Sequence, residues 1–311
     1  MILTVTPNVA LDITYQVDRL LPGSSHRVRV VEERAGGKGV NVARVLHALG
    51  HDTMVLGFVG GAAAAAITAD LAQAGLAQEL IAVEGPTRRS VAVVDAGDGE
   101  ATLFNEPGPP VPAASWGRLE ALLAARLPDA EALVVAGSLP PGADGDACAR
   151  MVRLAAAGRV PVLVDTAGEA LVRAAAAGAD ILKPNADELL ASTGRAGIAA
   201  GAAELRRRGA KAVVASLGTD GMAAFTPDGS WRAAPPARVA GNPTGAGDAA
   251  AAALVAGAVA GTPWPDRLRD AVALSAAAVA QPAAGGFDPA LYRRFAHQVL
   301  VEEQHAPELD R

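Results

Sequence analysis

Asn242-Pro243-Thr244-Gly245-Ala246-Gly247-Asp248 stands directly ahead of a long Ala-rich stretch, and the fold follows from how that junction is read. Glycines without a Cβ let successive backbone N–H groups converge. The start of a helix adds partial positive charge, so Gly245, Ala246 and Gly247 can form a hole for an anion such as a phosphoryl group in transfer. Asp248 falls in the first helical turn, where an ionised carboxylate could accept the proton of an attacking primary hydroxyl. Taken alone, the run reads as readily as an ordinary acidic first turn after a loop.

Outward from this junction, buried strands alternate with helices, which implies a parallel sheet. Strands are predicted over 2–6, 53–59, 132–136, 160–165, 181–183 and 212–216, and helices over 114–126, 146–157, 199–208, 246–260 and 265–280, with a further helix after the glycines at 36 to 39. Loops that follow the strands then carry the candidate site, at the carboxyl edge of the sheet. Residues 12–33 alternate apolar and polar residues in two runs separated by Leu21-Pro22-Gly23. A second hairpin runs from 89–95 through Gly97-Asp98-Gly99 to 101–105. Two half-buried hairpins near the N-terminus suggest a small sheet acting as a lid. The expected division is a large α/β domain over 1–11, 34–86 and 107–311, and a lid over 12–33 and 87–106. The 62–66 run is a low-complexity helix former, and neither an internal repeat nor a domain linker is apparent.

The chain has 311 residues, enough for one large α/β domain or two ordinary ones. A net charge of -6 without a Lys/Arg block argues against nucleic acid as the partner, so phosphate groups must be met by local basic residues. The chain starts on a strand-like segment with no basic leader and no uninterrupted long apolar run, so no membrane is expected and the location expected is cytoplasmic. Cys148 is the only cysteine, in a segment that reads as a surface helix, and is expected to be passive. Lys occurs only at Lys38, Lys183 and Lys211, and Asn only at Asn8, Asn41, Asn105, Asn185 and Asn242. Most of these scarce residues fall in Gly- or Pro-rich segments, as contacts to phosphates and hydroxyls would require, although Asn also favours turns.

Gly36-Gly37-Lys38-Gly39-Val40-Asn41 exposes backbone and places Asn41 one turn into a helix, which suits the hydroxyls of a polyol; it also suits a tight strand-to-helix turn. It is not a G-x-x-x-x-G-K-[ST] loop, and no G-x-G-x-x-G run occurs. Lys183-Pro184-Asn185-Ala186-Asp187-Glu188 puts Asn185 and Glu188 three apart on one helical face, able to hold a hydrated Mg²⁺ while Lys183 reaches nucleotide phosphates. The same run is equally a helix start with acids answering its dipole. Ser216-Leu217-Gly218-Thr219-Asp220-Gly221 and Gly137-Ser138-Leu139-Pro140 each follow a buried strand, and alone each is a turn. No H-E-x-x-H or G-x-S-x-G pattern supports zinc or serine hydrolase chemistry.

In this order the segments resemble the ribokinase-like sugar kinases of the phosphofructokinase-B type, nearest the 1-phosphofructokinase and tagatose-6-phosphate kinase branch. The likeness rests on Thr6-Pro7-Asn8-Val9-Ala10-Leu11-Asp12, the glycine run at 36–41, Thr87-Arg88, Gly137-Ser138-Leu139-Pro140, Lys183-Pro184-Asn185 with Glu188, Ser216-Leu217-Gly218 and Gly245-Ala246-Gly247-Asp248. The resemblance implies an α/β three-layer sandwich with a mostly parallel central sheet and a β-sheet lid, often paired into a homodimer through the lids. It implies transfer from ATP·Mg²⁺ to a ketohexose phosphate, with fructose 1-phosphate as the expected substrate and tagatose 6-phosphate or fructose 6-phosphate as alternatives. Asp12, Gly37 and Asn41 would hold sugar hydroxyls. Arg88, Ser138 and Lys38 would hold the sugar's phosphate, and Asp248 would be the base. Lys183 would contact ATP phosphates, Asn185 and Glu188 would organise the metal, and Ser216, Gly218 and Gly221 would edge the adenine site. Ser90, Pro243-Thr244 and Ala249 depart from the usual pattern. Two rival readings are a kinase for an unphosphorylated sugar or nucleoside and a non-catalytic sugar-phosphate sensor.

Overall fold

The computed structural model describes residues 1–28, 30–97, 99 and 101–304. Asp98 of the expected Gly97-Asp98-Gly99 turn and the last seven residues of the expected large domain, 305–311, lie outside the described residues. In chain order the strands are β1 (Ile2–Thr6), β2 (Ala10–Val17), β3 (Val30–Gly36), β4 (Thr53–Val59), β5 (Ala77–Ala82), β6 (Arg88–Asp95), β7 (Ala101–Asn105), β8 (Ala132–Ala136), β9 (Val162–Asp165), β10 (Ile181–Leu182), β11 (Ala212–Ser216), β12 (Met222–Thr226), β13 (Gly229–Ala233) and β14 (Val301–Glu303).

Ten strands form one sheet in the order β14-β13-β12-β11-β10-β9-β8-β1-β4-β5. From β5 to β11 every neighbouring pair is parallel, and β12, β13 and β14 add an antiparallel margin. Strands β1 and β8 are buried along their whole length and alternate between two cores. Ile2, Ala132 and Val134 pack on the layer containing the helices Lys38–Ala48, Ala246–Val259 and Trp264–Val279. Leu3, Val5, Leu133 and Val135 pack on the opposite layer, with the helices Ala113–Arg126 and Ala147–Ala157. Period-two alternation with apolar residues on both faces is what a sheet covered on both sides demands. The result is the expected three-layer α/β sandwich.

The second sheet has four strands in the order β3-β2-β6-β7. The two hairpins expected from sequence join through a parallel pairing of β2 with β6. Val9, Leu11, Ile13 and Ala35 root this sheet in a third apolar cluster beside β4 and the helix Ala63–Gln73. Asp70 on that helix accepts from the N–H of Ala35 at 2.8 Å and is paired with Arg44, fastening the end of β3 to the main body.

Several elements differ from expectation. Strands β5, β12, β13 and β14 and the helices Gly168–Ala176 and Pro289–Gln298 are additional to the expected elements; each is short, although the first helix buries Ala170, Leu171, Ala174 and Ala175 at helical spacing. Cys148 is not on a surface helix: Ala147–Ala157 buries Ala147, Cys148, Met151, Val152 and Ala155 against the sheet. Burial pushes the Cys148 thiol up to about 12, which suits the expected passive role. Among the described residues no helix is long and apolar enough to cross a membrane.

Candidate active site

The carboxyl ends of β8, β9, β10 and β11, the starts of the helices Lys38–Ala48 and Ala246–Val259, and one side of the four-stranded sheet enclose a cleft of about 770 Å³. Two glycine turns bring those helix starts in. At the end of β3, a Cβ on Gly36 would lie 2.0 Å from the Asp12 carboxyl, and Gly37 follows with φ 100° as the N-cap of Lys38–Ala48. Only residues without a side chain let the backbone approach Asp12 this closely. Gly245 is the N-cap of Ala246–Val259 in the left-handed region, φ 87°, with Ala284 2.7 Å from where its Cβ would be. The N–H of Ala246 turns back to Pro243 O at 3.2 Å, leaving Gly247 and Asp248 as the open donors of the first turn among the described residues.

Asp248 is 6% exposed and accepts from Asn41 Nδ2 at 2.8 Å. Burial, reinforced by the negative charge of Asp165, pushes its carboxyl up to about 6 against the opposing pull of Lys38, Asn41 and Lys183. It therefore remains mostly ionised at neutral pH while being a stronger base than an exposed carboxylate.

Asp165, at the end of β9 and 1% exposed, pairs with both lysines of the cleft: Lys38 Nζ at 2.7 Å from Oδ1 and Lys183 Nζ at 2.8 Å from Oδ2. Burial opposes its charge, but the two ammonium groups more than offset that and hold its carboxyl below the usual range. Lys38 also lies 3.8 Å from Glu188 Oε1. Burial disfavours the Lys38 ammonium, yet Asp165 first, then Glu188 and Asp248, raise its pKa above the ordinary value.

On the facing wall, Arg88 at the start of β6 donates from Nε to Asn8 O at 3.0 Å, and Asn8 Nδ2 donates to Ser138 Oγ at 3.2 Å. Burial raises the pKa of Asp12, and the opposing pull of Arg88, Arg34 and Arg44 is not enough to cancel it. Beyond Asn185, Ser216 and Gly247 the cleft runs into a second cavity of about 490 Å³, which Gly218, Gly221, Val239, Val272 and Ala276 line.

A family model described as pfkB family carbohydrate kinase matches residues 5–291. The chain belongs to that family. It is 38% identical over 267 residues to the 1-phosphofructokinase of Xanthomonas campestris pv. campestris, covering 82% of this chain and 83% of that one. It is 32% identical over 191 residues to a tagatose-6-phosphate kinase of Staphylococcus epidermidis, 61% of each chain. The crystal structure of phosphofructokinase-2 from Escherichia coli superposes with a TM-score of 0.88 at 26% identity, covering 96% of this chain and 98% of that one.

For this member of the pfkB family, Asp12, Gly37, Lys38, Asn41, Arg88, Ser138, Lys183, Asn185, Glu188, Ser216, Gly245, Gly247 and Asp248 all line the first cleft, while Gly218, Gly221 and Ala246 line the second cavity. Two expected groupings change. Lys38 is tied to Asp165 and Glu188, whereas the neighbours of Arg88 are Asn8, Asp12 and Glu106. Asn185 and Glu188 form a capping box: Asn185 Oδ1 accepts from the Glu188 N–H at 2.8 Å, and Glu188 Oε2 from the Asn185 N–H at 2.9 Å. Among the described residues no group of three or more His, Cys, Asp or Glu could hold a metal. Asp165, Ser90 and Asn105 also line the cleft; the sequence assigns them no role there, although Ser90 departs from the family's usual pattern and Asn105 is one of the scarce Asn residues. For Asp165 a signal exists, since it closes the apolar run Val162-Leu163-Val164 at the carboxyl edge of the sheet.

Proposed function

We propose that the chain transfers the γ-phosphoryl group of ATP to a primary hydroxyl of a ketohexose phosphate, with fructose 1-phosphate yielding fructose 1,6-bisphosphate as the first candidate. The observation that carries this reading is Asp248: a carboxylate 6% exposed, positioned by Asn41, beside two open helix-start N–H groups and two lysines. The substrate oxygen forms a bond to the γ-phosphorus as the bond from that phosphorus to the β,γ-bridging oxygen breaks. The hydroxyl proton passes to Asp248, and ADP leaves with the former bridging oxygen. The N–H groups of Gly247 and Asp248 receive the charge that gathers on the phosphoryl oxygens. Lys183 and Lys38, held apart by Asp165, face the phosphates. The cavity edged by Ser216, Gly218 and Gly221 has the apolar wall an adenine ring needs, from Val239, Val272 and Ala276.

Arg88 at the opposite wall supports a substrate that already bears a phosphate, as the names of the relatives suggest, since a neutral sugar needs no guanidinium there. Among the described residues, the capping box leaves Glu188 Oε1 as the one side-chain oxygen of the Asn185 and Glu188 pair without a backbone donor. That fits a hydrated Mg²⁺ held through water better than one ligated directly. When bound, the ion would neutralise charge on the β- and γ-phosphates. Phe104 stands 57% exposed on β7, at the edge of the four-stranded sheet, and supports pairing of two copies through that sheet. Sedimentation should show a dimer that Phe104→Glu converts to monomer.

The deciding experiment measures ADP release with fructose 1-phosphate, fructose 6-phosphate, tagatose 6-phosphate, free fructose and ribose. Turnover confined to the phosphorylated ketohexoses supports the reading. Equal turnover of the free sugars, or none at all, overturns it.

A further inference from the structure

Four polar side chains stand in register across the small sheet. Arg34 of β3 is paired with Asp12 of β2, Asp12 with Ser90 of β6, and Ser90 with Asn105 of β7. Residues directly opposed on neighbouring strands project from the same face, and Asp12, Ser90 and Asn105 all line the cleft. Ser90 Oγ donates to Asn105 Oδ1 at 2.7 Å. This bond occupies the acceptor end of the Asn105 amide, and its nitrogen has no protein partner among the described residues. Asn105 consequently has both N–H donors free for the cleft, whereas Asp12, two strands away, offers only acceptors when ionised. Strands lie about 4.8 Å apart, so the two are separated by about 10 Å, the scale of a phosphorylated six-carbon sugar laid along the row.

We propose that Asn105, oriented by Ser90, is a specificity-determining residue that selects among ketohexose phosphates by donating to a substrate oxygen. The proposal rests on the kinase reading above and deepens it. Isomeric sugar phosphates differ in where one oxygen sits, and the Ser90 bond biases the amide to present its N–H groups, so an isomer whose oxygen falls elsewhere is met less well. A substrate whose binding shields this N–H from water without accepting from it loses more than a missing contact. Ser90 acts as a positioning residue: without its hydroxyl the amide can flip and discriminate less.

The test uses the full chain and the variants Asn105→Ala, Ser90→Ala and the double variant, each assayed for kcat and KM with fructose 1-phosphate, fructose 6-phosphate and tagatose 6-phosphate, and for the KM of ATP. Asn105→Ala should change the ratio of kcat/KM between the best and the next substrate by roughly tenfold or more, while the KM of ATP stays put. Ser90→Ala should move the same ratio in the same direction by less, and should add nothing in the Asn105→Ala background. A uniform loss on all three sugars, or a Ser90→Ala effect that survives removal of Asn105, overturns the proposal and leaves the kinase reading intact. If the unmodified chain turns over none of the three, the kinase reading fails and this proposal falls with it.

Discussion

On one wall of the cleft Asp248, Asp165 and Lys183 are 6%, 1% and 3% exposed, whereas on the other Leu103 is 45% exposed and Asn105 stands on an edge strand open to solvent. The first wall belongs to a sheet covered on both faces, where each charge must be compensated by a neighbour because water cannot reach it. The second belongs to a thin sheet rooted at one end, whose polar groups need no partner until a substrate arrives. Changes on the buried wall should therefore alter rate, pH response and stability together. On the open wall they should alter binding and selectivity while leaving the chemical step in place.

The sharpest way to break this contrast is Asp248→Asn. It should lower kcat by about 10²- to 10⁴-fold, with little change in either KM; unchanged turnover would remove the base from the mechanism. The same variant should be more stable at neutral pH. The Asp248 carboxyl is raised from 3.8 to about 6 in the folded chain, so between these values the folded state binds a proton that the unfolded chain has released. Stability thus rises as pH falls through that window, and above it the ionised buried carboxylate is a cost that Asn removes. An increase of a few degrees in Tm is expected, at about 2–4 °C per kcal/mol for a chain of this size. A lower Tm would contradict the burial argument.

Next in size is Asp165→Asn. Neutralising the carboxylate between Lys38 and Lys183 should lower kcat by about ten- to a hundredfold and leave the buried Lys183 uncompensated, lowering Tm. In the parent chain the rate should fall below about pH 6 as Asp248 is protonated. Without the charge of Asp165, and with the lysines free to act on Asp248, that limb should move to lower pH. A limb that stays in place would show that Asp165 does not act on the base. On the open wall, Arg88→Ala should raise the KM of a sugar phosphate by about ten- to a hundredfold with kcat nearly intact. An equal effect on a free sugar would sink the assignment of Arg88 to the phosphate.

The sequence made the buried wall legible where pattern and chemistry coincide. Runs such as Thr53–Val59 and Ala132–Ala136 read as strands because they are apolar on both faces, and the scarce lysines pointed to the loops beyond them. The edge strands β5 and β14 did not, because they are half exposed and need no regular period, and in β12 and β13 small residues such as Ala223, Ala224, Gly229 and Ser230 carry little apolar pattern. Asp165 is not legible in the sequence because a single acid closing a strand also reads as a turn; only the fold brings two lysines to it. The spacing of Asn185 and Glu188 suits a metal pair, but it is equally that of a capping box, and the helix claims two of their oxygens first. The row from Asp12 to Asn105 was hidden for a topological reason, since strand register across three pairings is invisible in a linear pattern.

The sealed thiol of Cys148 has a practical corollary. With the chain's only sulfhydryl inside the sandwich and pushed up to about 12, the folded surface is blank to thiol-directed reagents. A cysteine introduced at Thr102 on β7 and another on the main body, at Arg238 beside the second cavity, would be the only positions to take a pair of fluorophores. Energy transfer between them would follow the distance from the small sheet to the nucleotide end of the cleft as each substrate is added, in the otherwise native molecule.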